Sequence, residues 1–403
     1  MELWKKKFIL IWSGQLFSIL SSAIVGYSVM FWLSIETQSA EVLAYAVLAT
    51  LLPQALLGPV AGVYVDRWKR KLTMIAADSF VALCSFVLGG LFYLDMAELW
   101  LIYVLLALRS IGNAFHSPAM QAAIPMLAPE SELMRIAGVN QALQSVSAIA
   151  GPALGALMIT SLNMTTVMLF DVVGAIIACT TLAFVVIPDP VRNEETHKPG
   201  ILHEMYEGWK EVQKHPGLPW LMTISVAVTF FLMPVAVLFP LMTVTHFGGG
   251  TFQMSLVEIV WGTGMLVGGL ILGIWKMKIR KVLLINCSYL ALGVYILVSG
   301  LLSSDAFVVF VCLTSIGGFS APFYNGPFTS ILQSYIEHSA LGRVFALFGS
   351  LSLLPSMVGI LLTGYIADTV GVTNAFLISG ILILLLGICS FFLPSVMRLE
   401  KNK

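Results

Sequence analysis

Gly62-Val63-Tyr64-Val65-Asp66-Arg67-Trp68-Lys69-Arg70-Lys71 sets five charged side chains within ten residues, and long apolar runs flank it on both sides. That contrast decides the fold class. The chain is 58% hydrophobic and only 10% charged, whereas soluble domains carry about 25% charged residues. It reads as an integral membrane protein. A helix needs about 20 apolar residues to cross about 30 Å of hydrocarbon. Counting outward from the charged run predicts an all-α chain of twelve transmembrane helices, near 8–33, 42–65, 72–94, 99–125, 136–160, 165–187, 218–243, 252–275, 281–302, 306–335, 343–367 and 373–395. Turn chemistry parts two pairs: Ser161-Leu162-Asn163 between spans five and six, and Gly248-Gly249-Gly250 between seven and eight.

Lysine and arginine accumulate in cytoplasmic loops, and here they sort cleanly. Of the 21 basic residues, all but Arg109 fall on the side that holds both termini, among them Lys5 to Lys7, Arg67 to Lys71, Arg135, Lys276 to Lys281 and Arg343. The opposite loops carry Glu36, Glu41, Asp95, Glu98, Asp305 and Asp368 instead. Both termini are therefore expected in the cytoplasm. The apolar run from Phe8 to Ile35 follows lysines as a secretory signal would, but it exceeds the about 7–15 residues of a signal core and is expected to remain as the first span.

Residues 188–217 form a polar cytoplasmic linker between an N-terminal half, 1–187, and a C-terminal half, 218–403. Within it, Ile201 to Lys214 places Leu202, Met205, Trp209 and Val212 on one side of a helix, expected to lie on the inner membrane surface. Cys84, Cys179, Cys287, Cys312 and Cys389 fall inside apolar runs without CxxC spacing and read as small buried hydrophobes, not disulfides or metal ligands. The formal net charge is zero, so nothing points to nucleic acid. No cofactor and no metal are expected.

The halves echo each other, as in a duplicated transporter. Gly58-x-x-x-Gly62 closes span two ahead of Arg70-Lys71, and Gly269-x-x-x-Gly273 closes span eight ahead of Arg280-Lys281. Ser110-Ile111-Gly112 with Pro118 in span four matches Ser315-Ile316-Gly317 with Pro322 in span ten. These stretches carry a family resemblance. Gly62-x-x-x-Asp66-Arg67-x-x-Arg70-Lys71 resembles the loop motif of the major facilitator superfamily, and Arg109-x-x-Gly112 resembles its fourth-helix arginine motif. Gly151-Pro152-Ala153-Leu154-Gly155 resembles the Gly-Pro-x-x-Gly element of its drug/proton antiporter branch. Closer in, Val65-Asp66-Arg67, Leu108 to Gly112 with Ala114-Phe115-His116, and Leu341-Gly342-Arg343-Val344-Phe345 are similar to the macrolide efflux proteins of Gram-positive bacteria. Lys69 departs from the pattern, standing where many members place glycine. The resemblance covers the whole chain. It implies two pseudo-symmetric six-helix halves, a bacterial cytoplasmic membrane and function as a monomer.

Asp66 falls at the C-terminal end of its helix, where the macrodipole disfavours an anion. Arg67 or Arg70 can offset that, and so can the positive N-terminus of another helix. In the resembled family this is the eleventh span, which here begins near Gly342-Arg343. Gly62, Asp66, Arg67, Arg70, Lys71, Gly342 and Arg343 are thus expected to gate the transporter; the plainer role is to fix topology.

Ionisable residues within spans are costly and mark function by default. Arg109, Asn113 and His116 share one face of span four. Arg109 either meets substrate or ties helices together, and His116 either titrates near neutrality or packs. Glu258 is the preferred proton carrier, because span eight borders the interface of the halves in the resembled fold. Asp171, in the more peripheral span six, reads as structural, and Asp78 is expected to brace the charged loop beside it. In that fold spans one, four, seven and ten line the central cavity, making Gln15, Tyr27, Phe31, Asn113, Phe115, Phe230, Phe231, Tyr324 and Asn325 substrate candidates. Gly151, Pro152 and Gly155 interrupt the hydrogen-bond ladder of span five and admit a close neighbour.

The resemblance therefore implies a proton-coupled exporter of amphipathic drugs, macrolides first, whose partners are the drug, protons and the bilayer. Export of another amphipathic metabolite, such as a siderophore or peptide, is the alternative. An intramembrane enzyme or receptor is disfavoured, because no HExxH, Walker A loop or paired CxxC occurs and no catalytic residue is identified.

Overall fold

The computed structural model describes residues 3–127, 133–187, 201–274, 279–336 and 338–400. Some helix side chains, those of Asp66, Arg67 and Leu202 among them, also lie outside the described set. The chain is all-α, with the twelve-helix architecture expected. The helices are α1 (Leu3–Thr37), α2 (Ala40–Arg67), α3 (Arg70–Tyr93), α4 (Leu99–Leu127), α5 (Leu133–Ser161), α6 (Met164–Ala183), α7 (Ile201–Gln213), α8 (Leu218–Thr245), α9 (Thr251–Ile274), α10 (Lys281–Leu301), α11 (Phe307–Tyr335), α12 (His338–Val370), α13 (Val372–Phe392) and α14 (Pro394–Met397). The twelve long ones answer to the twelve expected spans. Among the described residues, eleven carry a stretch long and apolar enough to cross a membrane, and α5 carries the shorter apolar stretch Ser145–Ser161. Only helices satisfy every backbone polar group within one segment in hydrocarbon, so such apolar runs have no other option short of a closed barrel.

Local chemistry sets the ends. Asn163 caps α6, its side chain accepting from the Thr166 amide at 2.9 Å, which relieves an otherwise unpaired first-turn donor. The same helix stops at Ala183, short of the expected 187, where the Lys71 ammonium takes up the orphan carbonyls of Ala183 and Val185. Between α8 and α9, Gly248 takes φ +64°, a left-handed turn for which glycine has no steric penalty.

The chain divides into two compact units. Unit 1 comprises residues 1–37, 45–194 and 250–259; unit 2 comprises 38–44, 195–249 and 260–403. In unit 1, α1 packs on α5 and α6, and α3 packs on α4 and α6. In unit 2, α10 packs on α11 and α13, and α8 packs on α12 and α13. Glycines set the α10–α13 approach: a methyl on Gly293 would sit 2.7 Å from the Leu384 nitrogen, so the two backbones meet directly, as small residues permit.

Two expectations are corrected. The linker helix α7 does more than lie on a membrane surface. It packs on α12 and α8, with Val212 fully buried and Gly208 against the Arg343 carbonyl. The cysteines are all free, but only Cys84 is buried; Cys287, Cys312 and Cys389 are exposed. In a bilayer an apolar thiol loses nothing by facing lipid, so the inside-out bias of soluble cores does not apply.

Candidate functional site

Among the described residues, unit 1 holds the buried charges. Arg109, near the middle of α4, donates from Nη2 to Asp171 Oδ2 on α6 at 2.6 Å, and both side chains are buried. Two hydroxyls complete the carboxylate's shell: Ser22 of α1 donates to Oδ1 at 2.6 Å, and Ser85 of α3 donates to Oδ2 at 2.7 Å. Four helices are thereby joined through one carboxylate. Burial makes such a pair demanding, since each charge forfeits several kcal/mol of hydration that only close geometry and further hydrogen bonds restore. The two serines supply those bonds. The Arg109 Nε is buried without a hydrogen-bond partner among the described residues.

A second polar layer lies one to two turns along the same helices. Ser18 of α1 donates to Asp78 Oδ1 of α3 at 3.3 Å, and His116 Nε2 of α4 lies 3.4 Å from the same oxygen. That His116 distance comes without hydrogen-bond geometry, so it counts as an ion pair only when the imidazole is protonated. Asp78 thus meets α1 and α4 through these two contacts, while the charged-loop side chains of Asp66 and Arg67, which it is expected from sequence to brace, lie outside the described residues. Gln15, on the same side of α1 as Ser18 and Ser22, is fully buried with both amide atoms unpartnered among the described residues. The two layers form a polar column through an otherwise apolar unit.

The charged loop is anchored separately. Lys71 Nζ lies 2.8 and 2.9 Å from the Ala183 and Val185 carbonyls, a cation placed on the C-terminal end of α6 where the dipole favours it. Arg343, at the start of α12, pairs with Glu207 of α7 at 3.1 Å. The Asp66 and Arg67 side chains of the expected gating set lie outside the described residues, as does the surrounding of Gly342.

The antiporter-like element works as a packing surface. A methyl on Gly151 would meet the Ala23 Cβ at 3.1 Å and the Tyr27 ring at 3.2 Å, and one on Gly155 would meet the Ile24 carbonyl at 3.2 Å. Pro152 lies inside the helix between them, and Ser28 donates to the Gly155 carbonyl at 3.3 Å. Tyr27 packs on this face and contacts Phe31 at 5.8 Å between centroids. Glu258 is half-buried and lies within electrostatic range of Tyr27. Arg109 is therefore answered by Asp171, the acid that reads as structural in the sequence, and not by Glu258. The signal is present all the same: a lone buried cation requires an acid, and Ser22, Ser85 and Asp171 are polar intrusions in three different spans.

A cavity of about 470 Å³ opens between α3 and α4, lined by Trp68, Leu72, Thr73, Phe80, Ile111 and Phe115 among others. Trp68 stacks on Phe115 at 5.9 Å, and Lys69 also borders the cavity. It thus has an aromatic wall with one cation. Asn113, on α4, is exposed. In unit 2, Phe230 and Phe231 meet edge-to-face at 5.0 Å, Tyr324 lies 5.8 Å from Tyr289, and Asn325 is exposed.

The sequence matches the Major Facilitator Superfamily over residues 11–359 and again over 235–403. The chain belongs to the Major Facilitator Superfamily. Within it, the chain is 39% identical over 398 residues to macrolide efflux protein A of Streptococcus pyogenes, covering 98% of each. It is 25% identical over 383 residues to the multidrug efflux pump Tap of Mycobacterium bovis, covering 92% of this chain and 89% of that one. Among solved structures, a bacterial homologue of the lysosomal transporter Spinster aligns with TM-score 0.78 at 11% identity, over 100% of this chain and 99% of that one. A D-xylose–proton symporter aligns at 0.72 and 13% identity, over 98% and 99%. These solved structures share the fold, and the chain is a multi-pass membrane protein.

Proposed function

We propose that the protein is a proton-coupled exporter of amphipathic drugs, with macrolides as substrates, working by alternating access of two six-helix halves, 1–187 and 218–403, joined by the linker 188–217. In this reading both termini face the cytoplasm of a bacterial cell, and the monomer is the working unit. The observation that supports it most is the Arg109–Asp171 pair, buried and held by two serines, in a chain 39% identical to a macrolide efflux protein.

Chemically, the pair is suited to proton exchange. A carboxylate alone in a low-dielectric site holds its proton, and a guanidinium beside it favours ionisation. In this reading the cycle alternately separates and re-pairs Arg109 and Asp171, and the coupling proton is exchanged at this pair. The Asp78–His116 layer provides a second ionisable station on the same helices. Glu258 remains a candidate carrier beside Tyr27. Drug contacts are assigned to apolar and aromatic surfaces with few polar anchors: Phe115 with its cavity, and the candidates Gln15, Tyr27, Phe31, Asn113, Phe230, Phe231, Tyr324 and Asn325. Gly62 to Lys71, with Gly342 and Arg343, forms the cytoplasmic gate.

Expression in a susceptible bacterium tests the reading: erythromycin resistance rises with the intact protein and falls to background with Asp171→Asn. Resistance unchanged by Asp171→Asn removes that carboxylate from coupling. Glu258→Gln, tested alongside, decides whether Glu258 takes its place.

A further inference from the structure

The charged loop lies at the C-terminal end of α2, but the opposite end of that helix carries the closer geometry. Ser39 Oγ accepts from the Val42 amide at 3.3 Å, the usual work of an N-cap. The remaining first-turn donors go to a residue more than 300 positions away. Asp368, in the last turn of α12, accepts from the Ala40 amide with Oδ1 at 2.7 Å, from the Glu41 amide with Oδ2 at 3.0 Å, and from the Ser39 hydroxyl with Oδ2 at 2.7 Å. One carboxylate thus takes three donors at a helix N-terminus. The site favours an anion twice over, through the bonds and through the dipole of α2.

Shape favours the same contact independently. Gly364, one turn before Asp368, lies directly against this first turn: a methyl there would sit 2.9 Å from the Ala44 Cβ and 3.2 Å from the Ala40 carbonyl. Ala40, Leu43 and Ala44 are buried at this level of the helix, and residues 38–44 belong to unit 2 while the rest of α2 belongs to unit 1. The glycine admits the turn and the aspartate fastens it. The pattern Gly364-x-x-x-Asp368 repeats Gly62-x-x-x-Asp66, and each copy ends a long helix, α12 and α2 respectively. In both, the acid stands at its own helix's C-terminal end, where the local dipole opposes it, so each acid needs an outside partner. Asp368 has one, the start of α2.

We propose that Gly364-x-x-x-Asp368 is a second latch, with Asp368 as a positioning residue that holds the first turn of α2 and releases it once per transport cycle. The cycle itself rests on the transporter reading above; the latch does not depend on what is carried. Releasing it exposes three donors and uncovers Leu43, which is fully buried while the latch is closed.

The test is substrate-free. Leu43→Cys is introduced into the full chain, purified in lipid nanodiscs and treated with a hydrophilic maleimide, with labelling at position 43 read by peptide mapping. Loss of the carboxylate in Asp368→Ala is expected to raise the labelling rate about tenfold, the scale of losing a charge-assisted hydrogen bond. Asp368→Asn, which keeps one acceptor oxygen, is expected to give a smaller rise. Gly364→Leu, which wedges the turn away with the carboxylate intact, is expected to raise it too. Unchanged labelling in both Asp368→Ala and Gly364→Leu would overturn the latch. Equal acceleration at native Cys84, buried within unit 1, would indicate general loosening and would also overturn it. Erythromycin export by the same variants is measured separately, so loss of the drug reading leaves the labelling result standing.

Discussion

The two units solve the problem of burying polar atoms in opposite ways. Among the described residues, unit 1 buries ions: Arg109 with Asp171, and Asp78 beside His116, spread over three helices. Unit 2 buries rings. Phe239 lies 5.5 Å from Phe376, 5.9 Å from Phe310, 6.1 Å from Trp261 and 6.2 Å from Tyr295, five aromatic side chains from five helices. Its buried side-chain pairs among the described residues are neutral, as in Ser225 with Tyr289 at 2.7 Å and Ser390 with Asn286 at 2.6 Å. Neutral hydrogen bonds and ring contacts do not change with protonation. Ion pairs do, so the proposed proton chemistry belongs to unit 1, with unit 2 supplying rigid packing.

The largest effect expected from disturbing this contrast is at Arg109. Arg109→Met leaves Asp171 buried without its cation, at a cost of about 3–5 kcal/mol, and thermal unfolding of purified protein should show the drop together with lost export. The double variant Arg109→Met with Asp171→Leu separates stability from transport: with both charges removed, stability is expected to return while export stays absent. Recovery of export would make the pair structural. In unit 2, Phe239→Ala is expected to cost about 3–5 kcal/mol through the cavity it leaves, yet to keep the pH dependence of whatever export remains. A pH profile shifted by Phe239→Ala would undo the assignment of proton chemistry to unit 1.

Much of this fold is legible without coordinates, because hydrocarbon imposes a length and an apolar composition that few sequences meet by chance. Eleven of the twelve spans meet that constraint among the described residues; α5 meets it only over a shorter stretch, and the linker helix is legible from its one-sided apolar spacing instead. Partnership is not legible in the same way. Arg109 and Asp171 are 62 positions apart, on helices whose rotation depends on contacts with α1 and α3, so the pairing emerges only when Ser22 and Ser85 are seen to converge. The contacts of Asp78 with Ser18 and His116 are hidden in the sequence for the same reason. The contact at Asp368 hides behind a charge that, in the sequence, speaks only to topology.

Smaller effects probe the hydrogen bonds themselves. Ser85→Ala removes one of the bonds to Asp171, and Ser390→Ala removes the bond to Asn286. Each is expected to cost about 1 kcal/mol or somewhat more in stability, but only Ser85→Ala should move the pH dependence of export. Lys71→Gln, which withdraws a cation from the end of α6, is expected to lower stability by less than about 1 kcal/mol, read by the same unfolding assay.

If proton movement through unit 1 drives drug export, purified protein in liposomes must couple the two without any other component. Given erythromycin and an imposed pH gradient, such liposomes are expected to show gradient-driven erythromycin movement that collapses with an uncoupler and is absent in Asp171→Asn. Movement at the same rate without a gradient, or undiminished in that variant, would contradict proton coupling through Asp171.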